Sequence, residues 1–178
     1  MELDPHLERG LTVAVVLSCV LAVIVGVALL IDLDTVQPDE DDWYILVRGK
    51  VVSGGRYHLE DLMELGKDEL RTPLVGTGED GKPHTYAGIL LRNLLSDAGM
   101  EDGAGKVTVR AVDALSRSFS VGSLEGSTAL LAYEKDGAPL QTRSRGGDGP
   151  IRLILEQDEV GSYNAQYCVK WVSEVIVE

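Results

Sequence analysis

Cysteines, aromatic residues and basic residues are all scarce in this sequence of 178 residues. Two cysteines cannot form a disulfide framework or a multi-cysteine metal site, so packing must stabilise the fold. Lysine and arginine together number 16 against 29 acidic residues, which gives a net charge of −13. Because no run of basic residues offsets this acidity, the surface repels a phosphate backbone, and no nucleic-acid partner is expected.

The chain has one long apolar run, at residues 11–31, which contain no charged side chain. A helix of about 20 apolar residues crosses the hydrocarbon core of a bilayer. A cleavable signal peptide has a shorter apolar region and a small-x-small exit, and the exit here, Ala28-Leu29-Leu30-Ile31, offers no such site. The sequence therefore predicts an uncleaved transmembrane helix over residues 11–31, preceded by an N-terminal tail, residues 1–10.

The charges on the two sides of this segment predict its orientation. Arg9 is the single lysine or arginine of the tail, whereas residues 32–47 contain none. The positive-inside rule then places the N-terminus inside and the C-terminal domain outside a cell membrane that the chain crosses once. Residues 32–43 are predicted to form an acidic linker, because this stretch lacks the glycine turn and the ligand spacing of a calcium-binding loop.

The remaining residues, 44–178, have the pattern of a domain with strands and short helices. Leucines recur at helical spacing from Leu59 to Leu65 and from Leu90 to Leu95, and a glycine follows each group. Such interspersed elements predict an α+β domain with a mixed β-sheet. The predicted strands are Tyr44–Val52, Leu70–Val75, Lys106–Val112 and Ser118–Val121. The apolar runs Ala129–Tyr133, Ile151–Leu155 and Tyr167–Val177 fit a strand or a short helix, and residues 76–88 are predicted to form a loop.

Three short motifs occur in the order of a known family. Tyr86-Ala87-Gly88-Ile89-Leu90 leads into the second leucine-rich helix, Gly149-Pro150-Ile151-Arg152-Leu153 begins an apolar run, and Lys170-Trp171 lies near the end. In this order the sequence over residues 44–178 resembles the oxidoreductase molybdopterin-binding domain, which has the sulfite-oxidase-like fold. The resemblance implies an α+β, mixed-sheet domain of that type, preceded here by the predicted transmembrane helix.

The same resemblance implies that the usual cofactor ligands are missing. Enzymes of this family hold molybdenum through one cysteine thiolate, in the loop after the strand that here ends near Val75, and hold the pterin through arginine, histidine and asparagine side chains. Here Gly76-Thr77-Gly78 occupies that loop and Cys168 lies on the final segment. The acidic linker replaces the upstream segment that contacts the pterin. We therefore expect no cofactor, no metal and no catalytic residue, with molybdopterin as the alternative cofactor.

Two other features have the residue types of a functional site. Residues 76–81 fit the spacing G-x-G-x-x-G of a dinucleotide motif, but Pro83 follows soon after in place of a helix, and the two acidic residues within the motif repel a pyrophosphate. This segment is therefore interpreted as a turn-rich loop. His58 and His84 lack the spacing of metal ligands and are interpreted as ordinary surface or loop histidines.

One glycine-rich segment of this acidic domain is basic. It contains Arg143, Arg145 and Arg152, whose guanidinium groups, together with exposed backbone N–H groups, are candidates for an anion-binding site. The other interpretation is that these arginines balance Asp148 and nearby acidic residues while the glycines form turns.

Two classes of function remain. In the first, the chain is a membrane-anchored, extracytoplasmic domain that is non-catalytic and binds a ligand or a partner. In the second, it is a molybdopterin-dependent oxidoreductase that transfers electrons to a membrane protein or another redox partner. The missing cysteine in the loop after Val75 favours the first class, because the metal then has no protein-derived covalent ligand.

Overall fold

The structure of this chain, a computed structural model, describes residues 38–178 and arranges their strands in two sheets. The first sheet has the strand order β2-β1-β10-β5-β6, and the second has the order β3-β4-β7-β8, with β9 also paired to β7. The first sheet comprises β1 (Tyr44–Gly49), β2 (Gly55–His58), β5 (Lys106–Ala111), β6 (Ser116–Ser120) and β10 (Val172–Val177). The second comprises β3 (Asp68–Pro73), β4 (Pro83–Leu90), β7 (Leu130–Lys135), β8 (Ala138–Pro139) and β9 (Arg152–Ile154).

The last strand lies in the middle of the first sheet. β10 pairs in parallel with β1 and antiparallel with β5, so this sheet is mixed. Four of its six residues, Val172 to Val175, are buried in succession, as expected for a strand covered on both faces. In β1, by contrast, Ile45 and Val47 are buried between less buried neighbours, which is the alternation of a strand with one covered face. The predicted α+β class with mixed strand pairing is confirmed.

The second sheet is antiparallel and contains a strand where the sequence predicted a loop. β4 begins at Pro83 and pairs along its length with β3, from Asp68 opposite Gly88 to Pro73 opposite Pro83. The predicted loop over residues 76–88 is therefore wrong after Lys82. The first residues of β4 are polar or small and lack the apolar alternation that predicts a strand. Pairing with β3 and β7 stabilises the strand. Gly88 itself is required there, because a Cβ at this position would lie 2.1 Å from the carbonyl oxygen of Leu131 on β7.

Short helices connect the strands, and the two predicted ones are confirmed. They are α1 (Leu59–Glu64) and α2 (Leu91–Asp97), followed by α3 (Val121–Leu124) and α4 (Gln157–Val160), with 3₁₀ turns at Arg143–Arg145 and Asn164–Tyr167. Helix α2 buries Leu91, Leu94 and Leu95, which lie on one face at helical spacing. Helix α1 buries only Leu62, and the neighbouring Met63 is exposed.

The packed part of the chain starts before Tyr44. Trp43 is buried, and its indole N–H donates to the carbonyl oxygen of Val172 on β10 at 2.8 Å. Glu40 accepts a hydrogen bond from the backbone N–H of Ser144 at 2.9 Å. The end of the predicted linker therefore packs on the domain, because it carries a large apolar side chain and a carboxylate with donors within reach. The predicted transmembrane segment, residues 11–31, lies outside the described residues. Among the helices that the structure describes, none has the length and apolar character to cross a membrane.

Candidate functional site

Four charged side chains from distant parts of the chain meet in one ion-pair cluster. Arg152 donates from Nη2 to Glu79 Oε1 at 2.7 Å and from Nη1 to Asp148 Oδ2 at 2.5 Å. Lys170 Nζ lies 2.7 Å from Asp148 Oδ1 and 3.9 Å from Glu79 Oε1. Arg152 and Glu79 are only 2% and 9% exposed. With two cations and two anions, the cluster carries no net charge.

A strand and a loop bring Arg152 and Glu79 together. Arg152 lies on β9 opposite Ala132 of β7, where the sheet covers it. Glu79 comes from the β3–β4 loop, residues 74–82, whose start is fixed by Asn164. This buried side chain accepts from the backbone N–H of Val75 at 3.0 Å and donates to the carbonyl oxygens of Pro73 and Leu155. The loop is therefore held against the C-terminal part of the domain.

Two cavities border the cluster and share Glu79 and Lys170. The first has a volume of about 670 Å³ and lies beside the start of the β3–β4 loop, and the second has about 600 Å³. The first is lined by Val75, Gly76, Thr77, Glu79, Tyr163, Ala165, Gln166 and Lys170. Asp80, Lys135 and the backbone around Gly146 contribute to the wall of the second. Each cavity has room for a small polar molecule.

The three predicted anion-site arginines do not share one environment. Arg152 is buried in the cluster, whereas Arg143 stacks on the ring of Trp171, with 4.7 Å between its guanidinium carbon and the ring centroid. Arg145 is exposed in a 3₁₀ turn. The contact of Arg152 with Asp148 is the one expected if the arginines balance nearby acidic residues. The sequence identified Arg152 and Asp148, but it contained no signal that Glu79 is the second partner.

Cys168 is the one cysteine among residues 38–178, and it lies in the core. Its Sγ accepts from the backbone N–H of Leu155 at 3.4 Å, and burial raises the pKa of the thiol. The side chain lines neither cavity. Tyr86 is also fully buried, burial raises its pKa, and its hydroxyl has no hydrogen-bond partner within the described residues. Neither group is placed as an accessible nucleophile.

The two histidines of the domain each contact carboxylates. His58 Nδ1 lies 3.0 Å from Asp42 Oδ1. His84 lies between Asp136, at 2.6 Å from Nδ1, and Asp80, at 3.1 Å from Nε2. Across residues 38–178 no group of three His, Cys, Asp or Glu side chains is arranged to hold a metal ion. The G-x-G-x-x-G segment, residues 76–81, is a turn-rich loop as predicted, and β4 follows it where the sequence predicted that the loop continues.

A mixed sheet and an antiparallel sheet joined by a few short helices define the class of this protein as sulfite-oxidase-like. The fold is similar to that of the sulfane dehydrogenase SoxCD from Paracoccus pantotrophus, with a TM-score of 0.62 and 18% sequence identity over 80% of this chain. The chain spans about 40% of the length of that protein. Residues 32–178 match the family model of the oxidoreductase molybdopterin-binding domain, and the chain belongs to this family. A comparison with curated proteins finds no match.

The residues around the cluster do not fit the cofactor for which the family is named. An anionic pterin phosphate needs unpaired positive charge, but Arg152 and Lys170 already contact Glu79 and Asp148. Molybdenum needs a soft ligand such as a thiolate, and the thiol of Cys168 is buried with a raised pKa. Position 76 also has no room for a side-chain ligand unless a neighbour shifts, because a Cβ there would lie 2.8 Å from the Cβ of Ala165. The arrangement is that of a neutral, internally paired site.

Proposed function

We propose that this chain is a membrane-anchored, extracytoplasmic domain of the oxidoreductase molybdopterin-binding family that binds a ligand or a partner and is not itself catalytic. The observation that carries the proposal is the paired state of Arg152, which the sequence analysis considered as an anion-binding group. Glu79 and Asp148 accept hydrogen bonds from its Nη2 and Nη1, so two carboxylates balance its charge, and only its buried Nε has no hydrogen-bond partner among the described residues. A binding site remains in the two cavities beside it.

The character of these cavities favours a small, polar ligand without a large net charge. A dianion in the first cavity would meet the carboxylate of Glu79, and a dication would meet the ammonium group of Lys170. Both charges lie in the shared wall and partly cancel each other. Thr77 and Gln166 offer neutral hydrogen-bonding groups in the first cavity, and Tyr163 exposes an aromatic ring at its edge.

The alternative is a molybdopterin-dependent oxidoreductase that passes electrons to a membrane partner. Family membership favours it, and so does the first cavity, which borders the loop where the resemblance places the metal ligand. Against it stand the glycines and threonine of that loop, residues 76–78, and the balanced charges of the ion-pair cluster. We therefore place this function second.

Metal analysis of the full chain distinguishes the two functions. The protein is purified from a host that synthesises the molybdenum cofactor, and we expect less than about a tenth of an equivalent of molybdenum, because residues 38–178 offer no accessible thiolate as a ligand. Elemental analysis and an absorption spectrum are the measurements. The Thr77→Cys variant is expected to stay without metal, since the cluster would still offer no free positive charge to the pterin phosphate.

A family member known to bind the cofactor, prepared in the same host, is the positive control for loading. Stoichiometric molybdenum in the unmodified chain, reduced in the Arg143→Ala variant, would contradict the proposal. It would assign the basic, glycine-rich segment to the cofactor.

Membrane attachment through residues 11–31 is tested by the N-terminus of the mature protein. The run is long enough to cross a bilayer and lacks a processing site, so we expect the chain to remain uncleaved in the membrane fraction. After an alkaline carbonate wash, which removes peripheral proteins, mass spectrometry should detect the peptide from Met1 to Arg9. A mature N-terminus after residue 28, or release by the wash, would contradict this part of the proposal.

A further inference from the structure

The side chain of His84 lies between two carboxylates that belong to different segments. Asp136 Oδ2 is 2.6 Å from Nδ1, and Asp80 Oδ2 is 3.1 Å from Nε2. Both carboxylates are also held by the backbone. Asp136 Oδ1 accepts from the N–H of Thr85 at 3.0 Å, and Asp80 Oδ1 accepts from the N–H of Lys82 at 3.0 Å. The carboxylates therefore stay in place on both sides of the ring.

The number of protons on the ring decides whether both contacts are attractive. A neutral imidazole has one N–H and one lone pair, so it donates to one carboxylate and presents its lone pair to the other. An imidazolium donates from both nitrogens. The backbone N–H of Lys82 holds the pKa of Asp80 below its usual value, and that of Thr85 does the same for Asp136. Both acids therefore stay charged where histidine titrates, between about pH 5 and 8.

The two carboxylates connect His84 to the wall of the candidate site. Asp80 belongs to the β3–β4 loop and follows Glu79, which lines both cavities. Asp136 belongs to the two-residue turn between β7 and β8, whose Asp-Gly sequence is typical of a tight hairpin. Lys135 and Ala138, on either side of this turn, line the second cavity together with Asp80. The contacts of His84 thus join two walls of one cavity.

Other groups near His84 come from the strands β3, β4 and β7. Lys135 of β7 lowers the pKa of both carboxylates through its charge and so partly offsets their attraction for the ring. Tyr86 of β4 lies edge-on, with 6.4 Å between the ring centroids, and its hydroxyl stays neutral because burial raises its pKa. From β3 the cross-strand neighbour is Thr72, which does not titrate, whereas Arg71 pairs with Thr85 on the opposite face.

We propose that His84 is a pH-dependent latch that fastens the β3–β4 loop to the β7–β8 turn when its ring is protonated and releases one of them when the ring is neutral. Its release loosens the β3–β4 loop at Asp80, which lines the second cavity, while Glu79 stays bound to Arg152. This inference does not depend on which ligand the site binds.

Amide hydrogen exchange of the full chain, read by mass spectrometry at pH 5 and pH 8, tests the latch. After correction for intrinsic exchange rates, peptides that cover residues 76–82 should be about fivefold less protected at pH 8, as expected for the loss of one partly exposed charged hydrogen bond. In the His84→Gln variant this dependence on pH should disappear. Peptides from β5 and β10 should keep their protection at both pH values.

His58→Gln is the matched control, because His58 contacts one carboxylate and lies away from the β3–β4 loop. It should keep the fivefold change at residues 76–82. Asp80→Asn removes one charged partner without changing the histidine and should also abolish the change, which keeps the test decisive if His84→Gln does not fold. Equal protection of the wild-type loop at both pH values, or a change retained in either latch variant, would overturn the proposal. Neither result alters the molybdenum content on which the proposed function depends.

Discussion

Replacing Arg152 with methionine is expected to lower the free energy of unfolding by about 3–5 kcal/mol. The guanidinium group is 2% exposed and donates to Glu79 and Asp148. Methionine fills a similar volume but leaves the carboxylate of Glu79, itself 9% exposed, without its main partner. In this variant Asp148 keeps Lys170 as a partner, since Nζ lies 2.7 Å from Oδ1. Glu79 gains much less from Lys170, since Nζ is 3.9 Å from Oε1. Chemical denaturation followed by circular dichroism gives the measurement.

Two further variants separate the buried charge from general effects of losing an arginine. Arg145→Met removes an exposed arginine from the same segment and should change the free energy of unfolding by no more than about 0.5 kcal/mol. The double variant Arg152→Met, Glu79→Gln should be more stable than Arg152→Met alone, because the unpaired buried carboxylate is gone. A loss below about 1 kcal/mol in Arg152→Met would show that the cluster is solvated rather than buried.

Local patterns were sufficient to predict the elements whose hydrophobic spacing is regular. The leucines before Gly99 predict α2 because they form the one face that this helix buries. The apolar alternation in Lys106–Val112 predicts β5, and this strand also buries Thr108 between Val107 and Val109. β4 was missed for the opposite reason. Its first residues are polar or small, and the strand exists because β3 and β7 pair with it on either side. Such non-local pairing leaves little signal in a single sequence.

The candidate site was predictable only where its partners are close along the chain. Asp148 lies four residues before Arg152 and was identified as its counter-charge, whereas Glu79 is 73 residues away. In the sequence Glu79 appears only as an acidic residue in a glycine-rich loop. His84 was interpreted as an ordinary loop histidine because it lacks metal-ligand spacing, and it lies instead on β4. Its partner on Nε2, Asp80, is four residues away, whereas Asp136, its partner on Nδ1, is 52 residues distant. Both partnerships depend on the sheet that brings β4, β7 and β9 together.

Neighbouring residues of the β3–β4 loop connect it to two separate parts of the domain. Glu79 contacts Arg152 in the buried cluster, and Asp80 contacts His84 at the surface. The first contact pairs a carboxylate with a buried arginine, whereas the second pairs a carboxylate with the histidine of the proposed latch. The loop can therefore loosen at Asp80 while Glu79 stays attached.

Truncating Leu94 to alanine should cost about 2–5 kcal/mol, because the side chain is fully buried in the core and its removal leaves a cavity. Leu94 lies on α2 between the buried residues Leu91 and Leu95, so the neighbouring side chains are themselves fixed and cannot fill the space. Leu115→Ala is the matched control: this leucine is 50% exposed, and its truncation should cost about 0.5 kcal/mol or less. Urea denaturation of the two variants beside the wild type gives the comparison. Equal midpoints for Leu94→Ala and the wild type would place α2 on the surface and contradict the packing of this helix.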